Sequence, residues 1–257
     1  VFGAMAAQRT NAVVGLSATG GGSGQPVGFA VGAGPGVIAG GTNLSFTGVG
    51  DVRVVASQAG DGNYEAAPDV TNLVRVFEIT PDRGPHAGGN EVRITNGNFG
   101  AITNVRVDGV EAAAFDQTSG SGFTLTLPAG SVTGAVDIVV QTEADGEITL
   151  PGAYTYHPAG EITSVLPATG SWTGGVGVVI TGTNLTDPAD PADVTDVTLA
   201  GVRVASIGSA TATQIVVTAG MAEAAGAGDV AVQSTGFGVT VAAGAFEYLR
   251  RRRRRWC

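Results

Sequence analysis

The sequence predicts an all-β protein made of small antiparallel sandwiches, and three observations carry that prediction. Glycine makes up 42 of 257 residues, whereas aromatic residues make up 6% and charged residues 14%. Abundant Gly, Val, Thr and Ala, with little Leu or Glu and no Lys, favours strands and turns over helices. The other two observations are a hydrophobic period of two and an internal repeat.

Alternation of apolar and polar residues marks the individual strands. Segment 123–127 reads Phe-Thr-Leu-Thr-Leu and ends at Pro128, which cannot continue a central strand. Pairs such as Asn-Gly at 96–97 and Asp-Gly at 145–146 supply the positive φ of tight hairpin turns. Roughly seven such strands in each 80–90 residues are typical of an antiparallel sandwich.

One stretch of the chain occurs twice. The segment that starts near residue 79 recurs 86 residues later, and the offset becomes 92 after an insertion at 187–192. The matching pieces are the Pro81 and Pro167 openings, the Gly-Gly pairs at 88–89 and 174–175, the Ile-Thr-x-x-Asn strand ends at 94–98 and 180–184, and the closing aromatic strands at 153–156 and 245–248. Several matches in one order indicate a true repeat.

These two copies resemble the IPT/TIG family of immunoglobulin-like domains over residues 77–157 and 160–248. The resemblance rests on the repeated pieces and implies an immunoglobulin-like sandwich for each copy. The second copy departs from the first at its insertion. It also has Leu185 without the glycine that follows Phe99.

Residues 1–76 are β-rich but different. The stretch 56–64 and its closing strand 74–76 resemble the bacterial Ig-like repeats of large surface or secreted proteins. The resemblances imply three tandem immunoglobulin-like antiparallel β-sandwiches at 1–76, 77–158 and 159–249, followed by an Arg-rich tail at 250–257. Phe77 and residues 158–161 are the expected linkers, which are too short for wide swinging.

The charge is distributed unevenly. The net charge is −9, but six of the 13 Arg lie at 250–255, so residues 1–249 carry 7 Arg against 22 acids. This acidic body predicts no nucleic-acid partner, which discounts a DNA-binding use of these domains. The single Cys257 excludes an intrachain disulfide, and we expect no membrane-spanning segment. The start at Val1 suggests a mature product or an excised fragment.

The sequence offers little for catalysis, so we predict that the protein is not an enzyme. Only two His are present, His86 in a loop and His157 before Pro158, and we expect both on the surface or in a linker. Neither is predicted to activate a Ser or Cys nucleophile. No acid pair, zinc motif or phosphate loop stands out.

Calcium is the one metal ion that we consider, because it binds carboxylates in loops. No cofactor is expected. Acids recur every third residue around the insertion, at Asp187, Asp190, Asp193 and Asp196. A solvated acidic turn is the favoured interpretation of this loop.

The terminal arginines have three interpretations. Arg250, Arg251, Arg252, Arg253, Arg254 and Arg255 are candidate assembly contacts that would clasp the acidic body of a neighbouring copy. A sorting tail and an artefact are the alternatives.

We therefore predict a non-catalytic structural or adhesive module of a bacterial surface protein, with a filament subunit and a spacer as its two alternative forms. It would be extracellular or at the cell surface, with other copies, surface proteins or glycans as partners. Edge strands that accept a neighbour's strand would allow polymerisation. The alternative is a carbohydrate-binding accessory region of a larger secreted enzyme, with Trp172 and Tyr64 as the aromatic candidates.

Overall fold

The described chain is all-β, which confirms the predicted fold class. The computed structural model describes residues 1–95, 98–119, 122–188, 190 and 192–250, and these contain no helix. Over this part of the chain, nothing helical is long and apolar enough to cross a membrane. The strands are β1 Gln8–Arg9, β2 Val13–Gly15, β3 Val27–Ala33, β4 Gly36–Ala39, β5 Asn43–Phe46, β6 Gly50–Gln58, β7 Ala67–Thr80, β8 Arg83–Pro85, β9 Glu91–Thr95, β10 Ile102–Val107, β11 Val110–Glu111, β12 Ala114–Ser119, β13 Gly122–Thr126, β14 Gly134–Thr142, β15 Gly146–His157, β16 Glu161–Leu166, β17 Thr169–Ser171, β18 Gly177–Thr183, β19 Val194–Leu199, β20 Val202–Arg203, β21 Ser206–Ala210, β22 Gln214–Thr218, β23 Gly226–Ser234 and β24 Gly238–Leu249.

The chain forms two compact units. The first unit contains residues 1–82, 89–130 and 135–155, and the second contains 83–88, 131–134 and the chain from Tyr156. The sequence predicted a domain boundary between residues 76 and 77, and this boundary stays a prediction. Each unit is described separately below.

The first unit is built around one long sheet with the order β12-β13-β9-β7-β6-β3, and β1 adds to β7 in parallel. A three-stranded sheet, β2-β5-β4, accompanies its N-terminal part, and the run β11-β10-β14-β15 accompanies the rest. Period-two side chains fill the interior, as the sequence predicted. Phe123, Leu125 and Leu127 are each 1% exposed, whereas the two threonines between them are half-buried.

The second unit is a sandwich of β16-β18-β22-β21 and β17-β24-β23-β19-β20. Inward side chains from both sheets form one apolar core that includes Ile180, Val217, Val232 and Phe246, all at most 1% exposed. Strand β17 pairs with β24 in parallel and closes one edge of the second sheet.

Four strands of the first copy have counterparts 92 residues later. Strands β10, β11, β14 and β15 correspond to β19, β20, β23 and β24. The agreement extends to single hydrogen bonds. The Asp137 carboxylate accepts the Gly152 amide at 2.7 Å, and the Asp229 carboxylate accepts the Gly244 amide at 2.8 Å. The same local chemistry therefore produces the same hairpin in both places.

Candidate functional site

Strand β7 carries the chain through the first unit without interruption. Its pairing with β6 runs from Ala67 to Val76, and its pairing with β9 runs from Glu78 to Thr80. Val76 and Phe77 are both 0% exposed. Phe77, expected as a linker residue, lies instead inside a paired strand. Linkers are normally exposed and make few contacts, so this junction is part of the folded structure.

A charged cluster lies beside the middle of β7. The Arg75 guanidinium is 2.6 Å from the Asp145 carboxylate and 3.9 Å from that of Asp51. The Asn98 amide also donates to Asp51 at 3.3 Å. The Arg75 side chain is only 13% exposed, whereas that of Asp145 is 47% exposed, so only the arginine end of this pair is shielded from water.

Arg9 is the second charged contact of this junction. Its strand β1 is placed by parallel pairing of Gln8 with Val76 and of Arg9 with Phe77. The Arg9 guanidinium donates to the Asp82 carboxylate at 2.9 Å and to the Ala153 carbonyl at 2.5 Å. Because the guanidinium is a planar fork with five donors, one side chain can hold several acceptors at once.

The insertion at 187–192 folds around a buried carboxylate, that of Asp193. This side chain accepts the Asp187 amide at 2.9 Å, the Gly236 amide at 2.6 Å and the Ser234 hydroxyl at 2.5 Å. Asp193 is 2% exposed and Asp187 is 5% exposed. The expectation of a solvated acidic turn is therefore wrong for these two residues. Their burial is tolerated because each carboxylate has polar partners.

The other acids of the loop have separate partners. Asp187 pairs with Arg83 at 2.9 Å, Asp190 accepts the Ala192 amide at 2.9 Å, and Asp196 pairs with the Arg203 guanidinium at 2.8 Å. Among the described residues, no three or more His, Cys, Asp or Glu side chains gather as metal ligands. Asp190 and Asp193 therefore fix the backbone of the loop, whereas Asp187 and Asp196 form ion pairs with arginines.

The two histidines lie at the same corner of the second unit. The His157 carbonyl accepts the His86 amide at 2.9 Å, and the His157 ring lies 4.6 Å from the Phe237 ring. Among the described residues, His157 Nδ1 is buried and has no hydrogen-bond partner. The Ser234 hydroxyl donates to the Asp193 carboxylate, and Ser234 is only 4% exposed. This geometry commits the hydroxyl to a structural bond.

The terminal arginines are described only at their start. Trp172 is half-buried, packs against the core of the second unit, and donates its amide to the Leu249 carbonyl at 3.0 Å. The Arg250 guanidinium lies 5.5 Å from the centre of the Trp172 ring, as in a cation–π contact. Residues 251–255, the remaining candidate assembly contacts, lie outside the described residues.

Of the two aromatic candidates for a sugar platform, only Tyr64 is widely exposed, at 55%. Its turn is fixed by the Asp61 carboxylate, which accepts the amides of Asn63 and Tyr64 at 2.8 and 2.9 Å. The ring lies against Gly22, where an added Cβ would come within 2.8 Å of it. Trp172 packs against the core of the second unit and has one face against Arg250, so less of its surface is open to a sugar ring.

Comparison with known proteins gives a family for one part of the chain. Residues 161–248 match the IPT/TIG domain family, as the resemblance of the second copy predicted. A search of the curated proteins gave no match.

Two bacterial proteins are among the solved structures that this chain matches. One is SGBP-B of the Bacteroides ovatus mixed-linkage glucan utilization locus, in complex with a mixed-linkage heptasaccharide. Its identity is 14% and its TM-score 0.29, over 96% of this chain and 65% of that one. The other is SGBP-B from a complex xyloglucan utilization locus in Bacteroides uniformis, with 17% identity and a TM-score of 0.29, over 66% and 48%.

The plexin A4 extracellular region is a third, with 13% identity and a TM-score of 0.48, over 96% of this chain and 28% of that one. The chain thus spans less than two thirds of each of these three proteins.

Proposed function

We propose that the chain is a non-catalytic structural module of a bacterial surface or secreted protein, which holds immunoglobulin-like domains at a fixed spacing. The observation that carries this proposal is the unbroken strand β7. A hinge at residues 76 and 77 would have to break the pairing of β7 with β1 and expose two fully buried side chains. Burial of this kind stabilises the continuous strand by a few kcal/mol.

The charged contacts support the same role. Arg75 and Arg9 each connect β7 or β1 to segments that follow residue 76, namely those at Asp145, Asp82 and Ala153. These contacts restrain rotation about the strand axis, which backbone pairing alone does not fix. A spacer that must transmit position benefits from both restraints.

Distance measurement by electron paramagnetic resonance tests this proposal. Spin labels at exposed Val37 and Val110, in a Cys257→Ser background, should give one narrow distance distribution. Inserting four Gly/Ser residues between Val76 and Phe77 should broaden it. The same insertion in the exposed turn at 61–62 is the matched control and should leave it narrow. A broad distribution in the chain without insertion would contradict a stiff spacer.

The filament form of this role remains part of the proposal. The six terminal arginines would provide one contact, since residues 1–249 of a neighbouring copy carry the opposite charge. Electron microscopy of natively isolated protein should show filaments that shorten when Arg250–Arg255 are replaced by Ser. If every preparation contains only single rods, the filament form of the proposal is dismissed and the spacer form stands.

Glycan binding is the alternative proposal, and exposed Tyr64 is the feature that favours it. Stacking of a sugar ring on Tyr64 would be lost in Tyr64→Ala. A glycan array that detects no binding to the unaltered chain would dismiss this role.

A further inference from the structure

We propose that one end of the second unit, formed by Thr169, Ser171, Trp172 and Leu249 and here called the end face, is a docking face for a further immunoglobulin-like domain. The chain contains this face twice, and the earlier example is covered by a domain of that kind. The inference rests on the proposed function, because it names the kind of partner that the structural module would hold.

The earlier face is formed by residues 83–86 and His157, which belong to the second unit. The second copy covers it with its insertion loop and with the connection between β23 and β24. Three contacts join the two: Arg83 donates to the Asp187 carboxylate at 2.9 Å, the His157 and Phe237 rings lie 4.6 Å apart, and a Cβ added at Gly238 would lie 3.0 Å from the Pro85 Cβ.

The end face has the same backbone as the earlier face. Strand β17 is the counterpart of β8 at an offset of 86 residues, and β24 is the counterpart of β15 at an offset of 92. Two hydrogen bonds from an amide to a carbonyl recur at nearly the same length: His86 to His157 at 2.9 Å matches Trp172 to Leu249 at 3.0 Å, and Gly88 to Pro85 at 3.0 Å matches Gly174 to Ser171 at 2.9 Å. A domain that fits the earlier face therefore meets the same backbone at the end face.

Matching side chains of the two faces differ in exposure. His157 is half-buried, whereas its counterpart Leu249 is 44% exposed. Met221 is 77% exposed and lies beside Trp172, because the next amide, that of Ala222, donates to the Trp172 carbonyl at 2.8 Å. Adjacent exposed apolar side chains are typical of an interaction site. The end face thus presents apolar surface at the position where the earlier face holds a domain.

The end face also carries a positive charge. Thr169 stands where the earlier face has Arg83, but Arg250 brings a guanidinium to this end, 5.5 Å from the centre of the Trp172 ring. At the earlier face the arginine binds the Asp187 carboxylate. We therefore expect the partner domain to present a carboxylate beside an apolar hairpin connection, because opposite charges favour one orientation of docking.

An extended chain tests this docking. It consists of residues 1–250 followed by a further copy of residues 159–249, so the appended domain follows Arg250 as the second copy follows Pro158. The appended domain has the insertion loop and the hairpin that cover the earlier face. Because Cys257 is left out, every cysteine in this chain is an introduced one.

Disulfide formation reports whether the appended domain docks. Ser171→Cys with Gly238→Cys in the appended copy should be oxidised about as fast as the matched pair Pro85→Cys and Gly238→Cys at the earlier face, whose Cβ atoms are close enough for a disulfide after a small shift. Leu249→Glu should slow the first pair and leave the matched pair unchanged. The negative control pairs Ser171→Cys with Ile207→Cys in the appended copy, on the other sheet of its sandwich.

A transplant into the unextended chain gives the second measurement. His86→Trp/His157→Leu places two side chains of the end face on the earlier face, and the second copy should stay docked there. Spin labels at Val132 and Ile207, which are 51% and 37% exposed, should keep a narrow distance distribution in a Cys257→Ser background. His86→Asp/His157→Asp is the control and should broaden it, because docking would then bury unpaired charges.

Three results would overturn the proposal. The first is a Ser171→Cys pair that is oxidised no faster than its pair with Ile207→Cys. The second is a transplant that broadens the distances as much as the aspartate control. The third is an aspartate control that leaves them narrow, since these side chains would then contribute nothing to docking. None of these results changes the distance between labels at Val37 and Val110, so the spacer proposal stands or falls separately.

Discussion

At the residue scale, two equivalent turns differ in one side chain. Asp108 and Gly109 have φ values of 51° and 77°, and Ala200 and Gly201 have 47° and 76°. A hairpin turn with positive φ at both central residues prefers Asn-Gly or Asp-Gly. Alanine has no polar group to compensate for the left-handed conformation, so Ala200 is the poorer choice.

Ala200→Asp is therefore expected to stabilise the second unit by about 1 kcal/mol. The reciprocal change, Asp108→Ala, should destabilise its own hairpin by a similar amount. Urea unfolding of both variants measures these differences. A destabilised Ala200→Asp chain would show that the turn's surroundings, rather than its backbone angles, decide the preference.

Tyr248 gives a prediction for alkaline pH. Its hydroxyl is buried and has no hydrogen-bond partner in the part of the chain that the structure describes, and burial raises the pKa of the phenol above its ordinary value of 10.0. The unfolded chain therefore loses this proton first, so the contribution of Tyr248 to stability is complete below pH 10 and falls as pH rises through the folded-state pKa.

Urea unfolding between pH 8 and pH 11 should show a steeper loss of stability for the unaltered chain than for Tyr248→Phe. The phenylalanine keeps the edge-on contact with Phe246, whose ring centre is 5.1 Å away. Tyr64→Phe, at an exposed site, is the control and should follow the unaltered chain. Parallel profiles for all three proteins would refute the assignment.

At the scale of elements, the loop before β19 depends on Asp193. Asp193→Ala would leave two backbone amides and a hydroxyl buried without their acceptor. Each such group costs about 1–3 kcal/mol, so we expect a total loss of about 3 kcal/mol or more. Calorimetry of the second unit's transition measures this loss.

Asp190→Ala is the matched control, because Asp190 lies in the same loop, is exposed, and accepts one amide. It should cost less than about 1 kcal/mol. Equal losses in the two variants would mean that Asp193 is not the centre of the loop.

At the scale of the whole molecule, the first unit should unfold as one cooperative body, although the sequence divides it into two domains. Val54 of β6 and Leu125 of β13 belong to the same continuous sheet. Native-state hydrogen exchange should show that Val54→Ala and Leu125→Ala each lower protection in both β6 and β9. Exposed Val37→Ala is the control and should lower neither. Losses confined to the mutated half would indicate two independent domains.

Much of the fold could be predicted because strand signals are local. The alternation at 123–127 and the breaking Pro128 specify a strand with one buried face, whatever lies elsewhere in the chain. The repeat and the IPT/TIG resemblance of the last domain depend likewise on spacing along the sequence. The sequence by itself thus determined the all-β class, the strands and the family of residues 161–248.

The tertiary structure alone decided the burial of the charged groups and the nature of the junction. Asp187 meets Arg83 across 104 residues, and Asp193 meets Gly236 across 43. No local sequence pattern predicts such partners, so a run of acidic residues is interpreted as a solvated loop. Similarly, the continuity of β7 depends on pairing with β1, β6 and β9, which lie far apart along the chain. Burial and strand pairing depend on which distant segments folding brings together, so only the tertiary structure could show them.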